Sequence, residues 1–332
     1  MRVLLDTNVW RYLIDSKNQD LLYNVTRKSN VKICIAPIVV VETLRLSDSS
    51  LRRRIVEAQT RDCWHRLMPD AFLQCEDVKS EMIRLHPEWI IKKRDVNLYR
   101  RLRYDWMRAK GGFWEKARVN TDVIANRYRT QDASALNQVR QQLRDVRSSV
   151  VDNGAPLLNA KRLKDFTGSW TNKITGEIVV SEFWRVYAEL IWCNMLSADK
   201  NSAFYQWISC DIDIEFLLWG GYPEFLNFWQ SEAQLEALPR EWIRAAIYAL
   251  QSERKVTDGN PVDAAISVHL VDVDAIFSAD KNFIAMVNRI QDEAPFQTAH
   301  GYLISSGKEG IEQLFKLLSQ PIIYGNSSSV RH

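Results

Sequence analysis

"VLLDTNVWRYL", residues 3 to 13, decides the fold: an apolar run ends on a carboxylate, Asp6, and a helical apolar pattern starts immediately after it. Residues 2 to 6 read as a short strand buried on both faces, and Asn8 to Asp15 as the helix that follows. The same alternation recurs. Residues 31 to 36 (VKICIA) read as a second strand, and Pro37 opens a helix through IVVVETLR, where the missing proline N–H costs nothing. Ser50 to Leu67 is expected as a third helix, residues 71 to 75 (AFLQC) as a third strand, and Asp77 as an N-cap for VKSEMIRL. Alternating strands and helices imply a parallel sheet covered on both faces.

Between about Pro87 and Leu238 that rhythm is lost. Segments such as SEFWRVYAELIWCNMLSAD have helical apolar spacing and are separated by DNGAPLLN and by GSWTNKITGEIVV, the latter hairpin-like. Helices over Glu241 to Glu253 and Pro261 to Leu270, a strand over Val273 to Ser278 and a helix over Lys281 to Val287 then restore the pattern. The expected organisation is a three-layer α/β/α domain with a central parallel sheet, formed by residues 1–86 and 240–305. A mainly helical insertion, 87–239, interrupts it, and a C-terminal helix and disordered tail fill 306–332.

Composition narrows the function. Apolar content of 46% and charged content of 26% suit a globular chain. With no long apolar run and no signal-like N-terminus, a cytoplasmic protein without a membrane span is expected. Five scattered cysteines form no CxxC pair, five histidines show no zinc-ligand spacing, and only 12 glycines leave no phosphate-cradling GxGxxG or GxxxxGK motif. Net charge is only +3, but residues 89–150 carry 15 Lys and Arg against 6 Asp and Glu. That local excess is expected of a surface facing a polyanion.

Four acids sit where chemistry is expected. Asp6 ends the first strand, Glu42 lies in the helix after the second, Asp263 opens DAAISVHL, and Asp280 follows the strand in VDAIFSADKNF. In an open parallel sheet, residues just past the carboxyl ends of neighbouring strands converge at the topological switch point. Close carboxylates repel by about 4 kcal/mol per pair at 4 Å, so they take up protons or a cation. Carboxylate oxygens without nearby His or Cys suit Mg²⁺ or Mn²⁺, and the chemistry that follows is metal-assisted phosphodiester hydrolysis.

The segments VLLDTNVWRYL, APIVVVETLR, DAAISVHL and FSADKNF resemble, in order, the four acidic motifs of the PIN (PilT N-terminal) nuclease domain. The resemblance covers about residues 1–86 and 240–305. It implies an α/β/α fold and an Mg²⁺- or Mn²⁺-dependent endoribonuclease, of a kind that serves as a toxin, a defence effector or an RNA-processing enzyme. Asp6, Glu42, Asp263 and Asp280 match the metal-site acids, while Asn8 and Ser278 match the small polar residues that orient them. RNA is the implied substrate. A homodimer or a regulatory protein partner is compatible, but no segment identifies an interface. The insertion departs from the family, so the resemblance transfers no substrate identity.

Each signal has a plainer reading. Asp6, Asp263 and Asp280 are all placed as helix N-caps would be. Asp258 in TDGNPVD reads as a turn residue or an auxiliary acid. Asp272 and Asp274 form a DxD, but they precede the strand instead of ending it, and alternate acids in DIDIEF read as caps or solvated groups. Aromatic residues interleave with Lys92, Lys93, Arg94, Arg100, Arg101, Arg103 and Arg108; most of the rings are expected in a helical core, and part of the cationic face on RNA. A catalytically silent RNA-binding module and a nuclease acting on DNA remain the alternatives.

Overall fold

The computed structural model describes residues 1–108, 110–129, 162–171, 176, 178–198, 200–252 and 260–319. Five parallel strands form the central sheet: β1 (Arg2–Leu5), β2 (Lys32–Ile35), β3 (His65–Arg66), β6 (Ala275–Ser278) and β7 (His300–Leu303), with β4 (Thr167–Thr171) and β5 (Ile178–Glu182) making a separate antiparallel hairpin. The strand order is β3-β2-β1-β6-β7. The chain moves outward from β1 through β2 and β3, then re-enters on the other side of β1, so the order reverses between β1 and β6.

The two central strands show why the sheet is covered twice. Val3, Leu4 and Leu5 are wholly buried although their side chains alternate between faces, and β6 is buried along its whole length; a strand with one wet face would instead alternate apolar and polar residues. Around the sheet, the helix Thr7–Asp15 packs on Gly307–Ser319 and Ser49–Gln59, while Pro239–Ser252 packs on Lys281–Glu293 and Asn260–Ser267. The result is a three-layer α/β/α architecture with a helical insertion.

The third strand is not AFLQC. Those residues lie in the helix Asp70–Leu85, where Phe72, Cys75, Val78 and Met82 recur at three- to four-residue spacing and are buried. Five residues of that period are indistinguishable from a buried strand; sixteen are not. The true third strand is two residues long, pairs Cys34 with His65 and Ile35 with Arg66, and ends the expected third helix early, at Gln59. Asp77 is correspondingly inside a helix and caps nothing; its carboxylate accepts from Arg240, 2.6 Å away, which also binds Asp272. The helix Gln19–Lys28 and strand β7 were not among the elements expected from the sequence.

The insertion shares its core with the sheet domain in one continuous apolar cluster. Trp89, Trp192, Trp229, Phe225 and Phe228 are fully buried there, each contributing roughly 2–3 kcal/mol by area removed from water. Trp89 and Trp114 are likewise core residues, as the helical-core reading expects, whereas Tyr104 is 60% exposed. Among the described residues no helix is long and apolar enough to cross a membrane. Asp258, DNGAPLLN, residues 130–150 of the basic stretch and the tail from Asn326 lie outside the described residues.

DIDIEF is more than a solvated acidic run. Residues 89–95 run beside 210–213: Ile90 bridges Ile212, Ile91 N–H donates to Asp211 O, and Asp213 N–H donates to Trp89 O. Asp211 is buried and its carboxylate accepts from Lys79 at 2.7 Å and Arg94 at 2.5 Å. Burial alone would raise its pKa, but these two cations hold it below the usual range. Asp213 is an ordinary cap, accepting from Phe216 N–H. Asp211→Ala leaves the buried Lys79 with Glu76 as its remaining acid and Arg94 without its acid, and is expected to cost roughly 2 kcal/mol, lowering Tm by about 3 °C, while Asp213→Ala costs about 1 kcal/mol. Equal thermal melts for the two variants would show that the buried ion pair does not stabilise the insertion.

Candidate active site

Four helices bring the acids together. Asp6 follows β1 and caps Thr7–Asp15; Asp280 follows β6 and caps Lys281–Glu293; the helix Pro37–Leu44, carrying Glu42 in its last turn, packs against both Thr7–Asp15 and Asn260–Ser267, the latter with Asp263 in its first turn. The β1–β6 register extends to the site, since Asp6 N–H donates to Phe277 O at 3.0 Å. The acids therefore meet at the reversal of strand order, where ligands bind in open α/β sheets.

Asn8 and Ser278 fasten the two strand ends. Asn8 Nδ2 donates to Asp6 Oδ2 at 2.7 Å and to Ser278 Oγ at 3.0 Å, while Asn8 Oδ1 accepts from Ala279 N–H at 3.0 Å. The Ser278 hydroxyl donates to Asp6 Oδ2 at 2.5 Å and accepts from Asp280 N–H at 2.9 Å. Asp6 Oδ1 is taken by Thr7 N–H at 2.6 Å. Capping thus describes Asp6 and Asp280 correctly but incompletely. Asp280 uses Oδ1 to accept from Asn282 and Phe283 N–H, and its side chain stays exposed with the second oxygen unengaged by any described group.

Thr7, which sequence reasoning passed over as part of a capping turn, has a second role. Its hydroxyl donates to Glu42 Oε2, joining the first helix to the third. No local pattern reveals this, because the partners are 35 residues apart. Asp263 differs from the other three in having no hydrogen-bond partner for its carboxylate among the described residues.

The electrostatics are those of crowded negative charge, compensated in part by Arg45 at Glu42. Burial pushes the Asp263 carboxyl up to about 8, with Asp6, Asp280 and Glu42 adding to the rise. Burial, then Asp6, pushes Glu42 up to about 7 against the opposing effects of the Thr7 hydroxyl and Arg45. Asp6 is raised as well, by burial first, although its three donors pull it down. No Lys or Arg forms an ion pair with any of the four among the described residues.

Among the described residues no three Asp, Glu, His or Cys side chains are grouped closely enough to ligate one ion directly. The donor set is all oxygen, the kind a hard cation such as Mg²⁺ takes, and such an ion keeps several waters and needs only one or two direct carboxylates. Of the seven cations expected on RNA, Lys92, Lys93, Arg100, Arg101 and Arg103 are exposed. Arg94 and Arg108 are not free: they pair with Asp211 and Asp105, because each lies beside an acid fixed by the local fold. Asp272 and Asp274 are also committed, the first to Arg240 and His269, the second to Arg2 N–H. No protein-family model, no curated protein and no solved structure matches the chain.

The raised pKa values set a pH dependence. Folded Asp263 and Glu42 keep protons that the unfolded chain releases above about pH 4, so the stability they contribute is full below that pH and is lost as pH rises through about 7 and 8. In EDTA, Tm should therefore fall across that window, Asp263→Asn should flatten the fall, and Mn²⁺ should raise Tm most at the alkaline end. A wild type and an Asp263→Asn variant with the same pH dependence would remove Asp263 from the cluster. Because the Thr7 hydroxyl lowers the Glu42 pKa, Thr7→Val should move the pH midpoint of Mn²⁺ binding upward and Thr7→Ser should restore it. Isothermal titration at several pH values reads both.

Proposed function

We propose that this chain is a metal-dependent nuclease of the PIN type that hydrolyses phosphodiester bonds in RNA. The observation that carries the reading is the meeting of Asp6, Glu42, Asp263 and Asp280 at the reversal of strand order, with no ion pair to any of them among the described residues and Arg45 easing only part of the charge at Glu42. Carboxylates arranged only for structure normally acquire a cation or a full set of donors. Asp263 has neither among the described residues.

Each residue has a definable task. Asp6, held by Thr7 N–H, Asn8 and Ser278, accepts from more donors than the other three acids do among the described residues. Glu42 is oriented by Thr7, and Asp280 directs its unengaged oxygen outward from a helix N-terminus whose N–H groups hold the other. Asp263 and Glu42 hold protons near neutral pH and give them up when a cation binds, so affinity for the cation rises with pH. Asp6, Glu42, Asp263 and Asp280 would hold Mg²⁺ or Mn²⁺, and the chemistry such an ion supplies when bound is activation of water and neutralisation of charge at the phosphate.

The test is cleavage of end-labelled single-stranded RNA, folded tRNA and single-stranded DNA in Mn²⁺, Mg²⁺ or EDTA. Wild type should cut RNA only with metal, and Asp6→Asn and Asp280→Asn, each still able to cap its helix, should lose at least about 100-fold in rate. Binding without cleavage in any metal would favour a silent RNA-binding module, and preferential cutting of DNA would reassign the substrate.

A further inference from the structure

The helix Val96–Met107 buries none of its twelve residues completely. Tyr99, Leu102 and Trp106 pack on the core, while Val96, Tyr99, Arg100, Arg103, Tyr104 and Met107 recur at three- to four-residue spacing along one side of an open groove of about 770 Å³. Arg101 and the buried Asp211 also line it. At 1.5 Å per residue the groove wall runs roughly 18 Å.

Its parts divide into fixed and unengaged. Asp211, clamped by Lys79 and Arg94, anchors one end, and Tyr99 is held by its hydroxyl on Glu76 at 3.1 Å with Lys79 over its ring. Arg100, Arg101 and Arg103 are exposed and form no ion pair with a described residue. Tyr104 is 60% exposed even with the Arg108 guanidinium 5.1 Å from its ring centre, and Met107 is 57% exposed. A solvated cationic face has no use for an open aromatic ring and a thioether between its arginines. Phosphates and unpaired bases together do.

We infer that this groove binds a single-stranded nucleic-acid segment, with backbone phosphates on Arg100, Arg101 and Arg103 and a base stacked on Tyr104. A duplex presents phosphates but no free base faces, so it leaves Tyr104 and Met107 unused. The identity of the polyanion rests on the nuclease reading; the groove's capacity to bind it does not depend on catalysis.

Fluorescence anisotropy of the full chain in EDTA separates the two. The probe is a short fluorescein-labelled single-stranded RNA, with its DNA counterpart, the same RNA as a duplex, and inorganic polyphosphate as competitors. Single-stranded RNA or DNA should compete best, the stronger of the two naming the sugar. Arg100→Gln/Arg101→Gln/Arg103→Gln should weaken binding at least tenfold and reduce the salt slope by about two. Tyr104→Ala should weaken single-strand binding roughly tenfold while leaving polyphosphate binding unchanged. Unchanged affinity in the triple variant overturns the inference, as does equal competition by duplex and polyphosphate with no effect of Tyr104→Ala. If the wild type binds single strands through these residues but cuts nothing with Mn²⁺, the groove stands and the nuclease reading falls. Wild-type cleavage with full activity and full affinity in the triple variant gives the reverse.

Discussion

Pairing of β1 with β6 is the constraint on which the rest depends. It aligns Val3 with Ala275, Leu4 with Ile276 and Leu5 with Phe277, joining segments about 270 residues apart. An ideal chain of that length costs roughly 5 kcal/mol in closure entropy. The burial of both strands on both faces, and the core shared with the insertion, offset that cost. Because the chain leaves β1 in one direction and returns on its other side, the connections on either side diverge, and the strand ends carrying Asp6 and Asp280 face the resulting crevice.

Structure and electrostatics pull in opposite directions at this point. The same geometry that lets Asp6 and Asp280 cap their helices brings four acids within reach of one another's charge. Glu42 is further disfavoured as an anion by its place in the last turn of a helix, where the macrodipole is negative. Asn8 and Ser278 reduce the strain at Asp6 by supplying donors, and Thr7 does so at Glu42. Asp263 receives no such help from the described residues, and burial together with the other three acids raises its affinity for protons. A cation resolves the same conflict that protons resolve in its absence.

The insertion separates its charges differently. Its aromatic residues mostly join the core, and its deepest acid, Asp211, is neutralised by Lys79 and Arg94. Arg94 therefore acts as a tie between the 89–95 segment and the residues it runs beside. Arg100, Arg101 and Arg103 on the outer side of Val96–Met107 have no such acids opposite them among the described residues, so their charge is available to a partner. Neutralisation inside and excess outside give the insertion both its attachment to the sheet domain and its basic surface.

The α/β alternation, the hairpin in the insertion and the positions of Asp6, Asn8, Glu42, Asp263, Ser278 and Asp280 were legible in the sequence. Local information is enough for these: apolar runs and helical spacing mark the elements, and each polar residue stands at a strand end or in a helix bordering it. The third strand was not legible, because two residues carry no period and their pairing with β2 supplies what the local sequence lacks. Thr7 on Glu42, Arg240 between Asp77 and Asp272, and Arg94 on Asp211 were equally hidden, since each joins residues far apart along the chain. The sequence by itself determined the central strands β1, β2 and β6, the helices that follow them, and the acids on which these elements end or which they carry. Only the tertiary structure decided which acids gain a cation and which are left to hold protons, because that depends on which distant cation or hydroxyl folding brings within hydrogen-bond reach.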